Sequence, residues 1–186
     1  GEELLAAVAK DGVDTRGITQ DPEAATGVAL ITVEASGQNT IVVASGANHQ
    51  LTPKHVEAHT AFIQEASLLV MQLETPLETV QAAARLARRA NVPVLLNPAP
   101  ATPLSPELIE LVDVLAPNQS ELALLTGEVS LHSAARSLLE QGVSTILVTL
   151  GDQGVFILSR EMQTTLPAFP VTAIDSVAVS YTHLTL

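Results

Sequence analysis

Between residues 67 and 150 the chain alternates at least three times between a short, unbroken apolar run and a stretch patterned as a helix. This rhythm constrains the fold more than any other feature of the sequence. The apolar runs fall at 67–73, 92–96, 114–116 and 145–150. Runs of this length suit strands, and their lack of polar alternation suits strands covered by helices on both faces of a sheet. Short strand–helix–strand connections make right-handed crossovers and hence parallel neighbours. The expected fold is therefore α/β: a doubly wound, mostly parallel sheet flanked by helices.

The punctuation supports this reading. Thr52-Pro53, Pro76 and Pro106 stand where helices open, because proline at the first helical position gives up an N–H that has no partner there anyway. The first of these helices is expected to run to about Glu65. Gly12, Gly127 and Gly142 stand where helices close. Residues 2–10 carry Leu4, Leu5 and Val8 on one helical face. Two β-rich stretches, 26–33 and 40–44, flank Ala35-Ser36-Gly37-Gln38 and predict a hairpin outside the main rhythm. Residues 155–158 and 164–169 are expected to add further strands.

Composition narrows the class. Hydrophobic residues make up 47% of the 186 and aromatics 2%, so one domain with a large but aliphatic core is expected. A net charge of −12 repels phosphate backbones and argues against nucleic acid as a partner. Cysteine is absent, which removes disulfide and thiolate chemistry. The apolar runs are too short to span a bilayer, so no membrane partner is expected. Gly1 runs straight into Glu-Glu-Leu-Leu, which reads as the inside of a helix, and we expect the natural N-terminus to lie upstream.

In an open α/β sheet, ligands bind beyond the C-terminal ends of the strands. The residues found there are Glu74, then Asn97-Pro98-Ala99-Pro100, then Pro117-Asn118-Gln119-Ser120-Glu121, then Gly151-Asp152-Gln153-Gly154. All four ends are polar or glycine-rich. Each also has a plain structural reading: Glu74 as a loop residue, Asn118 as a helix cap, 151–154 as a hairpin turn. The last matches neither the P-loop nor the dinucleotide fingerprint. His55 and His59, four residues apart, could share a metal, but with no third ligand in view a solvated helix face is the better reading.

Taken in order, the segments 26–31, Gly46-Ala47-Asn48, Met71-Gln72-Leu73-Glu74, 97–100, 117–121 and 149–154 resemble the phosphofructokinase-B-type carbohydrate kinase family, with a ribokinase-like fold. The resemblance covers about residues 1–178, and the segments at 72–74 and 97–100 lean towards the family's ribose-phosphorylating branch. It implies ATP-dependent phosphorylation of the primary hydroxyl of D-ribose, with Mg²⁺ and K⁺ as cofactors. It also implies a cytoplasmic location and a parent protein that pairs as a homodimer through its lids. The hairpin at 26–45 becomes a lid over the sugar, with Ala29 and Val43 facing it, and Glu74 the residue that takes sugar hydroxyls. Asn118 sits by the ATP phosphates, and Thr149, Leu150, Gly151, Asp152, Gln153 and Gly154 form the nucleotide loop. Glu121 organises Mg²⁺ through water. Asp175 and the Val177 carbonyl hold the monovalent cation.

The resemblance also implies what is missing. The family's glycine-bearing sugar loop and an early Asn/Asp pair have no counterpart here. Downstream, the family carries a run ending Ala-Gly-Asp, whose aspartate is the catalytic base. Here Ser180 and Tyr181 stand in place of that glycine and aspartate, and 179–186 departs from the family altogether. A phenol titrating near 10 is a poor base at neutral pH. The chain as it stands is expected to be an incomplete and inactive kinase. The rivals are another sugar or nucleoside kinase of the family, such as a fructokinase, and a non-catalytic α/β ligand-binding module.

Overall fold

The structure, a computed structural model, describes residues 1–34 and 39–170. Helix α1 (Glu2–Lys10) is followed by strands β1 (Val28–Val33) and β2 (Asn39–Ala44), which pair antiparallel. A 3₁₀ turn (Gly46–Gln50) leads to α2 (Pro53–Ala58) and α3 (Thr60–Glu65). The main rhythm follows: β3 (Leu69–Met71), α4 (Leu77–Arg89), β4 (Val94–Leu96), α5 (Pro106–Ile109) and β5 (Val114–Leu115). Then come α6 (Gln119–Thr126), α7 (Leu131–Glu140), β6 (Thr145–Thr149), β7 (Val155–Ser159) and β8 (Gln163–Leu166).

The main sheet has six strands in the order β3-β4-β5-β6-β7-β8. The first four are parallel, and β7 and β8 add antiparallel to the edge. This is the mostly parallel α/β sheet with a separate hairpin that the sequence predicts. Strands added in one direction through right-handed crossovers place their connecting helices on one face. Burial agrees: Val94, Leu96, Leu115, Ile146, Val148, Phe156 and Leu158 are buried, and the helix residues Ala84, Ala87, Leu108, Leu122, Ala135 and Leu138 close over them.

The opposite face carries Val70, Leu95 and Val114, which are in cross-strand register and continue to Thr145, and the paired Leu147 and Ile157 beyond it. Val70 is 60% exposed and the others are half-exposed. The apolar runs read as unbroken because both faces are apolar, and the described helices cover one of them.

Two boundaries differ from expectation. The helix expected from residue 53 to 65 is two helices, broken at His59 (φ −108°, ψ 23°). Side chains compete there for helix carbonyls: the Thr60 hydroxyl donates to the Glu57 carbonyl (2.6 Å), and the His59 ring nitrogen Nδ1 bonds the His55 carbonyl (2.8 Å). The strands are also shorter than the apolar runs: the N–H groups of Leu73, Val92 and Leu150 bond the carbonyls of Ala99, Ala87 and Gly154 rather than a neighbouring strand. The expected turn at 35–38 and the segment carrying Asp175, Val177, Tyr181 and 179–186 lie outside the described residues.

Candidate functional site

The parallel strands all end on one side, and their ends are stitched together by backbone bonds. The Asn97 N–H donates to the Met71 carbonyl (2.9 Å) and Leu73 N–H to the Ala99 carbonyl (3.0 Å), joining the ends of β3 and β4. Asn118 bridges Thr149 in parallel, and the Thr149 N–H donates to the Pro117 carbonyl (3.0 Å), joining the ends of β5 and β6. Glu74, Asn97, Asn118 and the Gly151–Gly154 loop thus share one sheet edge. At about 4.8 Å per strand, Glu74 stands about 10 Å from Asn118, so the edge divides into two halves.

The first half is a groove of about 420 Å³ beside β3. Asn48, Leu51, His59, Glu74, Thr75 and Thr79 are among its walls. Its lining combines apolar residues with hydroxyl, amide and carboxylate groups, a mixture suited to a small polyol. Glu74 is exposed there, on the loop between β3 and α4. The hairpin leads into the 3₁₀ turn that carries Asn48, and none of its described residues is among those lining the groove. Ala29 and Val43 are direct cross-strand partners and therefore share one face of it. Its base is held by two close glycines: a Cβ on Gly46 (φ +52°) would stand 2.3 Å from the Ala25 carbonyl oxygen, and one on Gly27 2.8 Å from that of Ser45.

The second half lies at β5 and β6. Asn118 caps α6: its Oδ1 accepts the Glu121 N–H (2.8 Å), while Glu121 Oε2 accepts the Asn118 N–H (2.7 Å). Partial burial pushes the Glu121 carboxyl above its ordinary range, and the Asn118 N–H pulls it back in part. The loop after β6 turns through Gly151 (φ +62°), where an added Cβ would meet nothing within 4 Å. Backbone at that turn is open to a ligand. Gly154 differs: its Cβ would stand 1.9 Å from the Leu166 carbonyl oxygen, so that glycine serves the contact with β8.

The structure therefore gathers Asn118, Glu121, Thr149, Leu150, Gly151, Asp152, Gln153 and Gly154 in one place and sets Glu74 apart from them. His55 and His59 use their Nδ1 atoms locally, His55 accepting the Thr52 N–H (3.0 Å) as a helix cap. Among the described residues no three of His, Cys, Asp and Glu are placed to hold a metal. None of their helices is long and apolar enough to cross a membrane. Sequence reading missed Thr79 and the pairing of Gly27 with Gly46. A threonine inside an otherwise aliphatic helix face is a weak signal of a long-range hydrogen bond, and a close approach of two glycines leaves no local pattern.

An open, mostly parallel sheet thus carries a groove at one strand end and a glycine turn beside a capped helix at another, with a two-stranded hairpin outside the sheet. A model of the pfkB family carbohydrate kinases matches residues 1–179, and the chain belongs to that family. It is 41% identical over 187 residues to a ribokinase of Haemophilus influenzae, covering 98% of this chain and 61% of that protein. The ribokinase of Thermotoga maritima is 31% identical with a TM-score of 0.81, covering 94% of this chain and 58% of that one. The ribokinase of Arabidopsis thaliana, complexed with ribose and ATP, is 27% identical with a TM-score of 0.73, covering 82% of this chain and 51% of that one. The chain thus spans roughly three fifths of the first of these relatives and about half of the last.

Proposed function

We propose that this chain is the central part of an ATP-dependent kinase that phosphorylates the primary hydroxyl of D-ribose, and that residues 1–178 form its kinase unit. The observation that carries the reading is the division of one sheet edge into a polyol groove at Glu74 and a nucleotide turn at Gly151, three strands or about 14 Å along it. Kinship with ribokinases, one of them solved with ribose and ATP, supports the sugar and the phosphoryl donor.

In this reading the Glu74 carboxylate accepts from sugar hydroxyls, a charge-assisted bond stronger than a neutral one. The hairpin at 26–45 closes over the groove, with Ala29 and Val43 on its inner face, and excludes water. Backbone at Thr149–Gly154 receives the nucleotide, and Asn118 lies beside its phosphates. Glu121 fits a Mg²⁺ site of the water-mediated kind: Oε2 is engaged by Asn118, and Oε1 makes no hydrogen bond among the described residues. When bound, Mg²⁺ would bridge and neutralise phosphate charge. Asp175 and the Val177 carbonyl are assigned to K⁺ on the family resemblance. Tyr181 occupies the position of the base, so this chain is inactive as it stands, and 179–186 is not part of the kinase unit.

Pairing through the lids and a cytoplasmic location complete the proposal. Exposed Val28, Leu30, Ile31, Val33, Ile41, Val42 and Val43 leave both faces of the hairpin apolar, and a two-stranded sheet needs such faces covered. The test is ribose phosphorylation by this chain, beside a version completed upstream and carrying a restored Ala-Gly-Asp turn. Activity in the completed version alone upholds the reading. Inactivity of both on ribose, fructose and nucleosides transfers the case to a binding module.

A further inference from the structure

The two walls of the groove come from distant parts of the chain. One wall, Asn48 to Leu51, ends the turn below the hairpin; the other, Glu74 to Thr79, runs from the end of β3 into α4. The side chain of Thr79 joins them. Thr79 is 2% exposed, and its hydroxyl donates to the Leu51 carbonyl at 2.7 Å, across 28 residues. The Leu51 N–H in turn donates to the Asn48 carbonyl, which closes the 3₁₀ turn. Thr79 sits one helical turn beyond Pro76, where its own N–H bonds the Pro76 carbonyl (2.9 Å), so its position is tied to the loop that presents Glu74. Val80 and Ala83, both buried, hold that stretch of α4 in the core.

We infer that Thr79 is a positioning residue for the sugar: its hydrogen bond to Leu51 fixes the spacing between the Asn48–Leu51 wall and the Glu74 wall. The inference rests on the reading of the groove as the sugar site. A buried hydroxyl is worth keeping in an aliphatic helix face only where it has a partner, and this partner lies on the opposite wall of the cavity. Valine has threonine's shape without its donor. In Thr79→Val the Leu51 carbonyl loses its partner from α4, and the wall carrying Asn48 is free to drift. A displacement of about 1 Å is enough to cost a site its geometry. Serine restores the donor.

The experiment compares the full chain with Thr79→Val, Thr79→Ser and Glu74→Ala by calorimetric titration with D-ribose and, separately, with a magnesium complex of a non-hydrolysable ATP analogue. Thr79→Val is expected to weaken ribose binding tenfold or more, as Glu74→Ala does, and to leave nucleotide affinity within twofold. Thr79→Ser is expected to restore ribose binding to within threefold. Ribose affinity unchanged in Thr79→Val overturns the inference. So does a parallel loss of ribose and nucleotide that serine does not rescue, which marks a general loss of fold. If neither the unaltered chain nor the version completed upstream binds ribose, the sugar reading itself fails. Hydrogen exchange then decides the tie: faster exchange in Thr79→Val confined to residues 48–52 and 75–80 upholds it as the groove's spacer, and unchanged exchange there overturns it.

Discussion

Gly151 and Gly154 stand three residues apart in one loop and do different work. At Gly154 (φ +96°) a Cβ would overlap the Leu166 carbonyl oxygen, and the backbone lies in a region that side chains rarely enter. Gly154→Ala is expected to destabilise the chain by about 2 kcal/mol or more. Gly151→Ala meets open space and carries only the left-handed backbone penalty, about 1 kcal/mol. Chemical denaturation of the two variants, with nucleotide titration beside it, separates the roles: Gly154→Ala should lose stability first, and Gly151→Ala should lose nucleotide affinity out of proportion to its stability. Glu121 adds a pH signature. Its folded carboxyl titrates above the ordinary value because burial disfavours the charge. The folded state therefore binds this proton more tightly than the unfolded one, and stability falls as pH rises through the carboxylate range. Glu121→Gln, which keeps an oxygen for the Asn118 N–H, should be at least as stable as the parent at pH 7, with its advantage shrinking as pH falls towards the ordinary glutamate value of 4.5 and gone below it. An advantage that grows on acidification would contradict the burial argument.

The short helix α6 is fixed at both ends, which is why eight residues suffice. Asn118 and Glu121 cap each other's backbone at its start, and Gly127 (φ +72°) ends it in the left-handed conformation. Asn118→Ala removes the side-chain acceptor and should cost about 1 kcal/mol, read from the denaturation midpoint. The same change should weaken nucleotide binding, since Asn118 adjoins Thr149 at the strand ends. This helix was legible in the sequence because each of its determinants is local: a cap residue, a glutamate three positions on, a closing glycine. The parallel strands were legible for a related reason, since each apolar run is punctuated by proline or glycine. The break at His59 was not legible. It arises from side chains at 59 and 60 bonding carbonyls one turn back, a choice that composition and period do not encode. For the same reason Glu74, Asn118 and the 151–154 loop could be picked out as strand-end residues. Thr79 could not, because its partner lies 28 positions away.

Across the whole molecule, one face of the sheet is roofed by α4 to α7 and the other presents Val70, Leu95, Val114, Leu147 and Ile157 with no described element over it. Parallel sheets occur almost always with both faces covered. The strand β3 adds a second liability, because it forms the sheet's edge and Val70 is 60% exposed there, beside Leu68 at 42%. An apolar edge without charge is a template for further strand pairing. The net charge of −12 opposes association at long range, and salt removes that protection. The chain is therefore expected to bind a hydrophobic dye such as ANS in its folded state and to associate increasingly with concentration and with added salt, as followed by sedimentation velocity. Val70→Lys places a charge on the edge at an exposed position, where a substitution shifts stability by no more than about 0.5 kcal/mol. It should reduce association at high salt while leaving the unfolding midpoint in place. Leu96→Ala, one strand inward on the roofed face, is the contrasting control. Leu96 is fully buried, so its truncation should cost about 2–5 kcal/mol and leave the edge as it was. A chain that stays monomeric and dark to the dye at high salt would mean that this face is covered, and the account of the exposed sheet would have to be abandoned.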